Sequence, residues 1–176
     1  MLTAASHVGR LIELRLSGTP TLEDAERFER DAHACITRAV RQMKRAVIVC
    51  SDLRATHLFR PEVTDRLIHT MRGANPDLER NGMLGNGSAL LTLQLARFIK
   101  EASGPDDRRR IFTQTAQLLD FLDELLTEAE RARVRRFLAE LETKGLPATE
   151  DLPASLSREP SVRARKNSPG NRPRTS

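Results

Sequence analysis

The residue best placed for chemistry is a lone carboxylate behind an apolar run. Asp52 follows Ala46-Val47-Ile48-Val49-Cys50 and Ser51, a β-branched stretch of the kind buried on both faces in a parallel sheet. Such sheets present ligand-facing groups at the carboxyl ends of their strands. No second carboxylate, general base or oxyanion loop accompanies Asp52, so capping of the local backbone is its simpler role. His7, His33, His57 and His69 have no metal-ligand spacing to one another or to Cys35 and Cys50. Two histidines flanking a glutamate at helical spacing, paired-cysteine motifs and Gly-x-Ser-x-Gly are all missing. These patterns predict no catalytic centre, no metal and no cofactor.

Two further segments suggest binding. Gly82-Met83-Leu84-Gly85-Asn86-Gly87-Ser88 runs into a helical pattern, where backbone amides can receive an anion. It lacks the Gly-Lys-[Ser/Thr] ending of a phosphate loop, which favours a plain turn and leaves a nucleotide or small ligand before Ser88 as the alternative. The second is the carboxyl-terminal stretch from 157 to 176, with Arg158, Arg163, Arg165, Lys166, Arg172 and Arg174 against Glu159 alone. It accounts for the whole net charge of +5, so the rest of the chain is neutral. Nucleic acid is therefore a partner only through this tail, by charge. Aromatics are 3% of the chain, with no Trp or Tyr, so stacking on exposed bases is poorly provided for. A solubilising tail is the simpler reading.

The elements that position these residues follow from periodicity. Ile12, Leu14 and Leu16 alternate with Leu11, Glu13 and Arg15, a half-buried strand closed by Gly18. Thr21 with Asp24 resembles a capping box. Apolar residues from Leu22 to Met43 then recur at three and four, an amphipathic helix with Glu23–Arg27 and Glu26–Arg30 pairs on its wet face. After the 46–50 strand, the stretch from Ser51 to His57 reads as a loop. Pro61 opens a second helix that Asn75-Pro76 ends. A short strand at Gly82-Met83-Leu84, a helix capped by Ser88 and a last strand at Arg110-Ile111-Phe112 follow. Two final helices begin at Thr113 or Thr115 and at the Thr127/Glu130 capping box, the last with a balanced wet face of arginines and glutamates.

Alternation of strand and helix predicts an α/β fold with a mixed, mostly parallel sheet of four or five strands, helices packed against it and an extra C-terminal helix. No apolar run approaches the ~20 residues that cross a bilayer, so membrane insertion is not expected. The opening residues do not resemble a signal peptide, and the two cysteines read as buried free thiols of a reducing cytoplasm. The expected division is a domain over 1–145 and a disordered Pro/Ser/Arg-rich tail over 146–176.

Between Leu11 and about Leu126, the strand ending at Gly18, the helix after Thr21 and the run Val47-Ile48-Val49-Cys50-Ser51-Asp52-Leu53-Arg54 form a recognisable order. The helix from Pro61, Asn75-Pro76-Asp77-Leu78-Glu79-Arg80, Leu93-Gln94-Leu95-Ala96-Arg97 and Arg109-Arg110-Ile111-Phe112 extend it. Together they resemble a STAS-type domain of the SpoIIAA-like group, the fold of anti-sigma-factor antagonists and sulphate-transporter tails, and uncharacterised bacterial members of it. The resemblance implies a non-enzymatic regulatory module that docks a protein signalling partner. The contact surface it suggests is the segment from Asp52 to Arg60 and the helix after it, with Asp52, Arg54, His57 and Arg60 as contact residues. Phosphorylated members carry a serine near the start of that helix. Here His57-Leu58-Phe59-Arg60-Pro61-Glu62 holds no hydroxyl, and Ser51 and Thr56 are the nearest. The pattern also has an extra early strand, for which Leu2 to Ser6 is a poor candidate.

Overall fold

A computed structural model describes residues 1–103 and 108–143. Ten regular elements and one 3₁₀ turn follow in the order β1 (Leu2–Ala5), β2 (Leu11–Gly18), α1 (Leu22–Met43), β3 (Val47–Thr56), α2 (Pro61–Ala74), the turn Asn75–Asp77, β4 (Leu78–Leu84), α3 (Ala89–Ser103), β5 (Arg109–Phe112), α4 (Thr115–Asp123) and α5 (Glu128–Thr143). The strands lie side by side in sequence order. β1 pairs antiparallel with β2, and β2 to β5 are parallel neighbours. The sheet is thus mixed and mostly parallel, as expected.

The layering follows from that order. Parallel crossovers are almost always right-handed, so a sheet that grows in one direction receives all its crossover helices on one face. α1, α2 and α3 contact one another in turn there, over Leu16, Phe28, Leu53, Leu67, Leu95 and Phe98. Ile12, Val47, Val49 and Leu78 continue this layer beneath the later turns of α1. α4 and α5 follow the last strand and cover the opposite face, over Leu11, Ile48, Cys50, Leu84, Leu122 and Leu138. The run 47–50 is buried on both sides, none of its residues more than 3% exposed.

Local chemistry sets the helix ends. Thr21 and Asp24 form the anticipated capping box of α1, and Lys44, at φ 55°, ends it in the left-handed conformation. Thr127 and Glu130 make the second box: Glu130 N–H donates to Thr127 Oγ1, and Thr127 N–H donates to Glu130 Oε2 at 2.9 Å. Gly82 lies beneath α4, where an added Cβ would sit 2.1 Å from Leu118 Cδ1. A glycine in the middle of a strand here marks a close approach by a helix.

The structure revises several expectations. Leu2–Ala5 is a true edge strand, because its pairing with β2 and its contact with α1 replace the apolar content it lacks. β4 begins at Leu78, four residues before the expected strand. The segment 51–56 is not a loop; β3 continues through it, paired with β4 as far as Asp52 and with β2 as far as Thr56. β2 is covered on both faces, since Glu13 is only 3% exposed. The α1 pairing also differs: Arg27 bonds Asp24, and Glu26 and Glu29 instead hold Arg66 of α2. No helix among the described residues is long and apolar enough to cross a membrane. The expected tail over 146–176 lies outside the described residues.

Candidate functional site

β2, β3 and β4 all end at one edge of the sheet, where the joints to α1, α2 and α3 meet. Gly18, at φ 67°, turns the chain out of β2. The His57 N–H donates to the Gly18 carbonyl at 3.0 Å, tying two of the joints together. Asn86 Nδ2 donates to the Thr56 carbonyl at 3.1 Å and brings in the third. Phe59 is clamped from both sides of its peptide: its N–H donates to Gln94 Oε1 at 3.0 Å, and Gln94 Nε2 donates to its carbonyl at 2.8 Å. The Phe59 ring packs inward against Phe98, 5.5 Å between centroids. With Phe59 fixed inward, its neighbours His57, Leu58 and Arg60 are left exposed.

His57 and Leu58 border a shallow depression with Thr19, Thr56, Asn86, Ser88 and Leu91. Four leucines at these joints and the first turns of the helices are solvated: Leu22 at 41%, Leu58 at 45%, Leu90 at 65% and Leu93 at 69% exposure. Leu90 and Leu93 lie three apart at the start of α3, off the stripe of Leu91, Leu95, Phe98 and Ala102 that faces the core. That offset is visible in the sequence and was not used there as a signal. Single exposed leucines need no explanation, but a group at one edge of a domain does.

The four residues assigned to docking separate into two places. His57 and Arg60 are at the exposed edge. Asp52 and Arg54 are not; they lie within β3 on the α5 side, and Asp52 is fully buried. Arg54 Nε and Nη2 each donate to the Asp52 carboxylate at 3.0 Å, and the Arg54 N–H donates to Asp52 Oδ1 at 3.2 Å. Arg54 Nη2 also donates to the Leu138 carbonyl of α5 at 2.5 Å. Asp52 therefore does satisfy local backbone, but in a strand and under a helix. A partner cannot reach it while α5 stays docked.

Asp52 and Arg54 belong to a polar layer between β2, β3 and α5. Glu13 accepts two bonds from Arg133, at 2.6 and 2.5 Å, in the paired geometry that suits a guanidinium. Arg133 donates also to Glu140 at 2.8 Å. Its hydrogen bond to Glu13 leads the effects that hold it more firmly protonated than an ordinary arginine. Arg15 stands over the Phe137 ring at 4.3 Å, donates to the Phe137 carbonyl at 2.5 Å and approaches Asp52 at 3.7 Å. The wet face expected for α5 is thus partly an interior one. Cys50 lies in the same layer, and its burial pushes the thiol well above its usual range.

Neither remaining hydroxyl is free for a switch. Ser51 is buried and donates to Asn81 Oδ1 at 3.1 Å. Thr56 is buried and donates to the Leu16 carbonyl at 2.7 Å. In the glycine-rich segment, the Ser88 N–H is taken by Asn86 Oδ1 at 2.9 Å and Gly85 N–H by the Phe112 carbonyl at 2.8 Å. Those two amides are turned to the protein itself. Among the described residues, no group of three or more His, Cys, Asp or Glu side chains could hold a metal.

Sheet order, helix layering and the joined carboxyl edge define the class: an α/β domain with a SpoIIAA-like fold. A solved structure agrees. An uncharacterised protein of the DUF3478 family from Shewanella loihica PV-4, described as having a SpoIIAA-like fold, matches with a TM-score of 0.50. The match covers 69% of this chain and 92% of that one, at 14% identity, and it bears on fold alone. No family model and no curated protein matches the chain. The likeness places the chain in the SpoIIAA-like fold.

Proposed function

We propose that this is a non-enzymatic bacterial regulatory module, working in the cytoplasm, that binds a protein signalling partner at the carboxyl edge of its sheet. The observation that carries the reading is the exposure of Leu22, Leu58, Leu90 and Leu93 at the joints and first turns of α1, α2 and α3, with exposed His57 and Arg60 on either side of the Phe59 that Gln94 clamps. Apolar side chains on a pre-organised edge give affinity without an ordering cost, and the adjacent His57 and Arg60 favour a partner with acidic groups around an apolar contact. Asp52 and Arg54 act from behind, keeping β3 and α5 together. The fold supports this role by analogy only, since one fold hosts many functions.

The test is site-directed photo-crosslinking in cells of the source organism, with the probe at position 58, 90 or 93 and a control at exposed His33 on α1. One protein captured from the three edge positions and not from position 33, and lost with Leu58→Glu or Leu90→Glu, is the expected result. Equal capture at all four positions, or capture that survives both substitutions, refutes the surface. Binding of nucleic acid by the basic stretch 157–176 remains a separate proposal of charge alone, and it predicts binding that falls steeply with salt.

A further inference from the structure

The face of the sheet beneath α1, α2 and α3 is not fully packed. A cavity of about 80 Å³ lies there, its wall formed mostly by carbon atoms of residues such as Phe28, Leu53, Phe59, Leu67 and Leu95. Protein interiors rarely leave voids larger than a water molecule. A void this size therefore calls for an occupant or a reason.

Its polar lining is Ser51, Thr70, Asn81 and Arg109; Ser51 donates to Asn81, Thr70 to the Arg66 carbonyl, and the Arg109 guanidinium to Asn75 and the Met71 carbonyl. Asn81 borders the cavity from β4 and is only 5% exposed. Its Oδ1 accepts from Ser51 Oγ, while its Nδ2 donates to no described residue. Buried side-chain amides are almost always satisfied, so an unused donor beside a void points to a bound acceptor. Water is a poor candidate for filling the whole space, because each buried water needs two to four polar partners and apolar cavities stay dry.

We propose that this cavity is a binding site for a compact, mostly apolar molecule carrying one hydrogen-bond acceptor, which Asn81 Nδ2 engages. Size limits the class. A cavity of roughly 150 Å³ lined by Leu, Ile and Phe holds benzene. About half that volume suits roughly three to five non-hydrogen atoms, the size of a short ketone, aldehyde or ether. The site is separate from the docking edge and does not depend on it, although Phe59 lines the cavity between exposed Leu58 and Arg60.

Methyl-resolved NMR titration of the full chain tests this, following Met71, Met83 and Leu53 at the wall. The probes are 2-butanone and 2-methyl-1-butene, which replaces the carbonyl oxygen by a CH2 group and keeps the shape. The expected result is saturable binding of both, with butanone dissociating on the order of a millimolar, as its few atoms allow. Asn81→Leu should lower the ratio of ketone to alkene affinity about tenfold, the worth of one hydrogen bond. Taking the ratio between probes cancels their different hydrophobicity and any change in cavity size. Should Asn81→Leu not fold, Asn81→Val makes the same comparison with less bulk. Absence of saturable shifts in the native protein, or an unchanged ratio in the folded variant, overturns the proposal.

Discussion

Arg133→Met is the most informative single perturbation of the fold. Glu13 lies under α5 with a side chain 2% exposed, and Arg133 supplies both of its hydrogen bonds. Among the described residues, the other basic side chain within 4 Å of it is His7, 3.8 Å away and more than half exposed. Methionine keeps the length of the stem and removes the charge, which leaves Glu13 buried and unpaired. Breaking a buried ion pair in this way costs ~3–5 kcal/mol. Arg133 itself is 15% exposed, so some water reaches the pair, and the lower end, about 3 kcal/mol, applies. In a domain of this length that is a fall in Tm of about 10 °C. Glu13→Leu should cost less, because Arg133 keeps Glu140 at 2.8 Å. The double variant Glu13→Leu/Arg133→Met replaces the pair by carbon and should recover to within about 1 kcal/mol of the native protein. Urea unfolding followed by circular dichroism measures all four proteins and yields the coupling energy. A loss under 1 kcal/mol for Arg133→Met, or a double variant as unstable as that single one, would show that α5 does not bury this pair.

Three further outcomes can be checked alongside. Gly82→Ala forces a Cβ against Leu118 Cδ1, which is fully buried, and should cost about 2 kcal/mol by overpacking; combined with Leu118→Ala in urea unfolding, the losses should sum to less than the two singles. Burial raises the Cys50 thiol, and to a smaller degree that of half-exposed Cys35, so iodoacetamide at neutral pH should label Cys35 slowly and Cys50 only in denaturant. Comparable native labelling of both would contradict the burial of β3. Burial pushes Glu140 upward, but hydrogen bonds and charge from Arg133 and Arg15 outweigh it and hold its carboxyl below the ordinary 4.5. A depressed carboxyl stabilises fully above its unfolded value and loses that contribution as pH falls through the folded one. The stability difference between the native protein and Glu140→Gln should therefore be constant from neutrality to about pH 5 and shrink below 4.5; a difference independent of pH in acid would argue against the Arg133 contact.

What could be read from the chain was what local periodicity records. The alternation in 11–16, the three-and-four spacing of α1 and both capping boxes depend on residues close in sequence, and all appear in the structure. β3 was read too short because Ser51, Asp52 and Arg54 are unlikely members of a buried strand on their own. They are tolerated there because the Arg54 guanidinium bridges Asp52 to the Leu138 carbonyl, 84 positions away. β1 was missed for the opposite reason: an edge strand of four residues with a single buried leucine carries almost no pattern. The same limit divided the candidate site. His57 and Arg60 flank a clamp made by Gln94, 35 residues further on, and nothing near them in sequence distinguishes their exposure from the burial of Asp52.

That division has a consequence for any mutational study of docking. Asp52 and Arg54 hold β3 against α5 behind the proposed docking edge, so on that proposal replacing either would weaken partner binding without a direct contact. Arg54→Ala leaves a fully buried carboxylate whose remaining cation, Arg15, stands 3.7 Å away. It also removes a donor from the Leu138 carbonyl. A loss of about 3 kcal/mol is expected from the stranded charge, with increased hydrogen exchange concentrated in α5. Arg60→Ala alters an exposed residue with no side-chain cap bond to α2 and should leave stability within about 0.5 kcal/mol. If partner binding falls for both variants while stability falls for Arg54→Ala alone, Arg60 contacts the partner and Arg54 supports the strand from behind. Loss of binding by Arg54→Ala with undiminished stability and unchanged exchange in α5 would instead place Arg54 on the docking surface, and would require α5 to move aside when the partner binds.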